Sequence, residues 1–106
     1  MPGWGYDLVF TDQSLDNLEQ CLRFLIEEQG VPVQKAREIA SRLLDRAGEL
    51  VANPMLGQIE SHLVHLGMGH RRVVEGNYKI IYRVEDNFIF ILDFFDTRQH
   101  PRKMKR

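Results

Sequence analysis

The hydrophobic period of this chain changes once, near His70, and that change constrains the fold more than any other feature. Before His70, apolar residues recur every three or four positions, as on helices; after it they recur every two, as on strands. The stretch Arg71 to Arg98 holds six of the ten aromatic residues and five of the fourteen Lys/Arg. It predicts three antiparallel strands joined by two tight turns. His70–Glu75 is the first strand. Gly76-Asn77 follows as a two-residue turn of residues that tolerate positive φ. Tyr78–Glu85 is the second, with Tyr78, Ile80, Tyr82 and Val84 on one face and Lys79, Ile81, Arg83 and Glu85 on the other. Asp86-Asn87 turns again. Phe88–Phe95 is apolar on both faces, interrupted by Asp93, which predicts a strand inside the sheet and covered on both sides.

The first half supplies the cover. Tyr6–Phe10 reads as a short strand. Thr11 or Asp12 stands where a helix N-cap belongs. Leu15, Leu18, Leu22 and Leu25/Ile26 form one helical stripe, ended by Gly30. Pro32 can open a second helix, whose stripe runs from Ala36 through Ile39, Ala40, Leu43, Leu44, Ala47 and Leu50 to Val51. Glu38 and Arg42 are spaced to pair on its wet face. Asn53-Pro54 stops it, and two helices so closely joined pack as an antiparallel hairpin. Residues 55–69 are mixed. Leu56-Gly57 and Leu66–Gly69 look like turns; Ile59, Leu63 and Leu66 suit a helical turn, while Leu63-Val64 could extend a strand. The expected fold is α+β, as a single domain over 1–106: an N-terminal strand, an antiparallel helical hairpin, then a three-stranded antiparallel meander packed on the helices.

Composition excludes some functions. No apolar run approaches the ~18 residues of a membrane span, and the start Met1-Pro2-Gly3-Trp4-Gly5 has neither the basic nor the apolar region of a signal peptide. Trp4 is expected to cover an edge of the core. Cys21 is the single cysteine, so no internal disulfide can form and a reducing cytoplasm is expected. The net charge of −1 conceals a division. Residues 1–67 carry five Lys/Arg against ten Asp/Glu, whereas residues 68–106 carry nine against five. A basic surface on the C-terminal half follows, suited to phosphate backbones or an acidic protein partner.

The residues of that surface are Arg71, Arg72, Lys79, Arg83, Arg98, Arg102, Lys103, Lys105 and Arg106. Lys79 and Arg83 share a strand face. His62 and His65, three apart, could share a helix face, but no cysteine or carboxylate has matching metal-ligand spacing, and no metal or other cofactor is expected. His100 lies among arginines, which disfavour its charged form, so it would be neutral and able to accept a proton. Cys21 lies near the apolar stripe and suits packing. Glycine-rich phosphate loops, nucleophile elbows and matched carboxylate pairs are absent.

The order strand, helical hairpin, Asn53-Pro54-Met55-Leu56-Gly57, the block Arg71–Val84 with Tyr78-Lys79-Ile80-Ile81-Tyr82-Arg83, then Ile91–Arg98 and Pro101, resembles toxins of the RelE/ParE superfamily. These are the toxins of type II toxin–antitoxin, or plasmid stabilisation, modules. RelE-like members cleave mRNA on the ribosome, with basic residues on the sheet holding the scissile phosphate. For that branch the resemblance implies Lys79, Arg98 and His100 as catalytic positions, because no tyrosine follows Tyr82 and Met104 stands where a catalytic tyrosine would fall. ParE-like members inhibit DNA gyrase by binding it. Helices of about 17 and 20 residues and the ending Thr97–Pro101 are closer to this branch. Arg71, Arg72, Lys79, Arg83, Arg98, Arg102 and Lys103 are then the implied target- or nucleic-acid-binding set. Both branches imply a cognate antitoxin, whose acidic tail would suit the basic half, and a homo-oligomer or toxin–antitoxin hetero-oligomer. A toxin that only binds its antitoxin is the third expectation.

Overall fold

The computed structural model describes residues 5–106; the expectation for Trp4 lies outside the described residues. In chain order these form β1 (Asp7–Phe10), α1 (Asp12–Glu27), α2 (Val33–Gly48), β2 (Gln58–Ile59), β3 (Arg71–Glu75), β4 (Tyr78–Glu85) and β5 (Phe88–Asp96). Short 3-10 helices occupy Glu49–Val51, Ser61–Leu66 and Pro101–Lys103. The α+β class holds, but the sheet is larger than the meander. It has five strands in the order β1-β5-β4-β3-β2, with β1 parallel to β5 and every other pair antiparallel.

Local chemistry accounts for most boundaries. Thr11 caps α1, its Oγ1 accepting from the Ser14 N–H, and Gly30 takes φ +68° beyond the helix end. Pro32 is the residue before the first turn of α2 rather than a member of it. That helix stops as an α-helix at Gly48, and only a 3-10 turn carries the chain to Val51. The two helices are therefore of equal length, 16 residues each. Glu38 lies 4.0 Å from Lys35 rather than pairing with Arg42. The two hairpin turns each hold a residue of positive φ, Gly76 (58°) and Asp86 (55°). Residues 55–69 resolve into β2, which pairs with Arg71 and Arg72 of β3, and the Ser61–Leu66 helix.

The sheet separates two apolar cores. Leu18 and Cys21 of α1 and Leu43 and Ala47 of α2 pack on Tyr78, Ile80, Tyr82, Ile89, Ile91 and Phe94. The other face holds Ile81, Leu92 and Phe95, covered by Leu63 and by Met104 from the C-terminal tail. So β5 is covered on both sides, as apolar residues on both of its faces require. A bulge makes this possible. Tyr82 pairs with Ile91 but Ile81 with Asp93, which leaves Leu92 as the extra residue. Beyond it the alternation resets, returning Phe94 to the helix side and Phe95 to the other.

β1 covers only residues 88–91 of β5, and α1 takes over where it ends. Thr11 Oγ1 donates to Ile91 O (3.0 Å), Gln13 Nε2 to Leu92 O (3.2 Å) and Asn17 Nδ2 to Phe94 O (2.8 Å). Cys21 Sγ approaches the same Phe94 carbonyl at 3.6 Å. Backbone acceptors that would otherwise lie unpaired at a sheet edge are thus satisfied by one side of a helix.

Candidate functional site

The basic residues of the strands fall on both faces. Arg71 pairs in register with Tyr82 and stands on the helix side, its Nη1 donating to Gly57 O at 2.7 Å. Arg72, Lys79 and Arg83 stand on the opposite face. At their centre is Glu60, wholly buried. Its Oε1 receives Lys79 Nζ at 3.0 Å and lies 3.7 Å from Arg72 Nη1, while its Oε2 accepts the His62 N–H at 2.9 Å. Burial alone would raise the carboxyl's pKa, but the His62 N–H, Lys79 and Arg72 together outweigh it and hold the group below its ordinary value. Arg72 also bonds Ile59 O and Gln58 Oε1, tying β2 to β3. Arg83 Nε donates to Met68 O.

Arg98 belongs to a different cluster. It grips Asp96 through two guanidinium bonds, Nε to Oδ1 at 2.9 Å and Nη2 to Oδ2 at 2.7 Å. This bidentate pair keeps Asp96 below the usual carboxylate range. Asp96 pairs in register with Tyr78, on the helix side, near Cys21. Lys79 points to the other face, so the sheet divides the two basic positions of the RelE-like expectation. Cys21 is a buried packing residue, its thiol pushed up to about 11 by burial and then by Asp96 and Asp93.

The tail is docked on the sheet. Met104 is buried in the second core, and the Lys105 N–H donates to Asp93 Oδ2 at 2.8 Å. Asp93 Oδ1 accepts from Asn17 Nδ2 at 2.6 Å, and burial raises its pKa in spite of these bonds. His70, 1% exposed, lies beneath the tail near Arg106 and Arg83 without a hydrogen-bond partner for either ring nitrogen. Burial first, and then Arg83, push its pKa down. His100 caps the Pro101–Lys103 turn, its Nδ1 accepting the Arg102 N–H at 3.1 Å. With that lone pair engaged, the neutral ring carries its proton on Nε2 and presents a donor, not an acceptor, to solvent. Among the described residues, the side chains of Arg102 and Lys103 make no ion pair or hydrogen bond. No group of three or more His, Cys, Asp or Glu among them could hold a metal, and no helix is long and apolar enough to cross a membrane.

Sequence reading missed Glu60, Asp96 and Met104 as organisers of this surface. Asp96 was accessible from its spacing of two before Arg98. Glu60 was not, since its partner Lys79 is 19 positions away.

The family of ParE toxins of type II toxin–antitoxin systems, parDE, matches this chain over residues 8–101. The chain belongs to that family, within the RelE/ParE superfamily. No curated protein sequence matches it significantly. Among solved structures it is similar to the chromosomal ParDE toxin–antitoxin system from P. aeruginosa, at a TM-score of 0.68 and 18% identity over 86% of this chain and 95% of that one. It is also similar to the toxin–antitoxin complex RelBE2 from Mycobacterium tuberculosis, at a TM-score of 0.59 and 18% identity over 87% and 98% of the two chains. At such identities both likenesses concern the fold.

Proposed function

We propose that this ParE-family toxin arrests growth by binding DNA gyrase as a protein target, and that a cognate antitoxin neutralises it. The observation that carries this reading is the engagement of the cations a nuclease would need. Lys79 is bonded to buried Glu60, Arg98 is clamped by Asp96 on the other side of the sheet, and the open nitrogen of His100 carries a proton. A phosphate entering between Lys79 and Arg72 would meet the Glu60 carboxylate and be repelled. The surface left for a partner is the tail, where Arg102 and Lys103 are exposed and unpaired among the described residues.

The antitoxin reading is supported by the toxin–antitoxin complexes among the similar structures. An acidic antitoxin segment would meet the basic tail, and its affinity should fall with salt, because exposed charges are screened over ~8–10 Å at physiological ionic strength.

A supercoiling assay with purified gyrase tests the target. Dose-dependent loss of supercoiling is expected; full gyrase activity at excess toxin would overturn the reading. Primer extension on translated mRNA is expected to show no new 5′ ends. Growth that continues on induction, with antitoxin binding retained, would mark a toxin that only binds its antitoxin.

A further inference from the structure

The Ser61–Leu66 and Pro101–Lys103 helices flank an open depression of about 640 Å³. Its rim carries His62, His65, His100, Arg102 and Arg106, and its floor is Leu63, Pro101 and Met104. No carboxylate side chain lines it. Two features of the fold build this rim. A 3-10 turn has three residues per revolution, so His62 and His65 eclipse and face the same way. The cap at His100 orients its ring and leaves Nε2–H as a fixed donor. Glu60, the nearest acid in sequence, is turned beneath the sheet face toward Lys79 and Arg72. His70 and Arg83 nearby add no negative charge, and the Asp93 carboxylate behind the tail is held by the Lys105 N–H and Asn17.

We propose that this depression is a binding site for a phosphoryl group, as carried by a mononucleotide or by the end of an oligonucleotide. Two guanidiniums and three imidazoles line it with no carboxylate side chain among them, unlike the pairs at Lys79 and Arg98. Guanidinium and imidazole N–H groups are strong, charge-assisted donors to phosphate oxygens. The apolar floor gives an attached base or sugar a surface on which to lie, and the volume falls within the ~300–1,000 Å³ of small-molecule sites. His100, with Nδ1 accepting the Arg102 N–H, turns its Nε2–H outward as a donor. The site does not depend on the gyrase reading.

Imidazole resonances of the full chain, followed by ¹H–¹⁵N NMR during titration, test it. The probes are inorganic phosphate, adenosine monophosphate, a 5′-phosphorylated oligonucleotide and its unphosphorylated twin. Saturable shifts at His62, His65 and His100 are expected with a dissociation constant of about 1 mM or tighter, and the unphosphorylated oligonucleotide should bind more weakly than its twin. Preference for adenosine monophosphate over inorganic phosphate would assign the floor to a nucleoside; equal binding would assign the site to the phosphoryl group alone, and both outcomes support the proposal. Arg102→Gln, and separately the double change His62→Asn with His65→Asn, should each weaken phosphate binding about tenfold while the far-UV spectrum stays unchanged. Absence of saturation, or binding unaffected by both variants, would overturn the site.

Discussion

Asp93 holds the tail in place: its Oδ2 lies 2.8 Å from the main-chain nitrogen of Lys105, deep beneath the surface. Its other oxygen holds Asn17 of α1, so one carboxylate joins three elements distant in sequence. Asp93→Ala removes the acceptor of the Lys105 N–H and one of the two acceptors of the Asn17 amide, which keeps Phe94 O, at about 1–3 kcal/mol in all. Hydrogen exchange should show the Lys105 amide losing its protection while the Ile80 and Tyr82 amides in β4 keep most of theirs. Unchanged exchange at Lys105 would show that Met104 alone docks the tail.

Met104 fills the second core with Leu63, Ile81, Leu92 and Phe95. Met104→Ala should destabilise by about 2–5 kcal/mol, the usual range for truncating a buried side chain of this size. Urea denaturation measures it. A loss below about 0.5 kcal/mol, the scale of surface changes, would mean the tail is not packed in solution.

Glu60 is the charged counterpart. Its folded pKa is depressed, so its stabilisation is present above the unfolded pKa of about 4.3 and is lost as pH falls through the lower, folded value. Asp96 behaves in the same sense. Glu60→Gln leaves Lys79 without its charge partner and should cost about 3–5 kcal/mol at neutral pH, the figure for breaking a buried pair. The gap between this variant and the parent should narrow toward pH 3, followed by urea denaturation at each pH. A gap independent of pH would assign Glu60 a packing role only. Lys79→Met should lower stability likewise, yet leave growth arrest intact at low temperature.

Gly57 and Tyr82 form a close joint. Tyr82 Oη donates to Pro54 O at 2.8 Å and accepts from the Gly57 N–H at 2.9 Å. A Cβ on Gly57 would collide with the Arg72 carbonyl and stand 2.7 Å from Tyr82 Oη. Gly57→Ala should therefore cost about 1–3 kcal/mol through overpacking, and Tyr82→Phe about 1–3 kcal/mol through the unpaired Gly57 N–H and Pro54 carbonyl. Calorimetry should show Tm falling by about 4–8 °C per kcal/mol in a domain of this size. The double variant should lose less than the sum, because both changes break one joint.

The strands and helices were legible because each repeats its own period for long enough to be seen. Tyr78–Glu85 alternates across four pairs, and Leu15 to Leu25 runs about three turns. The two hairpins announced themselves through Gly76-Asn77 and Asp86-Asn87. β2 has only two residues and the Ser61–Leu66 helix only six, too short for any period, and a 3-10 turn follows neither template. The parallel partnership of β1 with β5 left no local signal at all. At the candidate site, the sequence showed where cations were abundant but not which were neutralised. That depends on Glu60 and Asp96, whose effect appears only when the sheet brings β3, β4 and the tail together. Of the row Gln13, Asn17 and Cys21, four apart along α1, the sequence reading singled out only Cys21, and the destination of all three, the carbonyls of β5, left no signal.

That row of contacts also sets an order of events at synthesis. Thr11 and Ile91 are 80 positions apart, and the bonds that seat β1 and α1 on the sheet end on β5 or on Asn87 just before it. The first quarter of the chain thus waits, unseated, until almost all of the last strand has left the ribosome. Long-range pairings of this kind form late and slowly. Until β5 is available, β1 has no partner strand and the polar row of α1 has no carbonyls to bond.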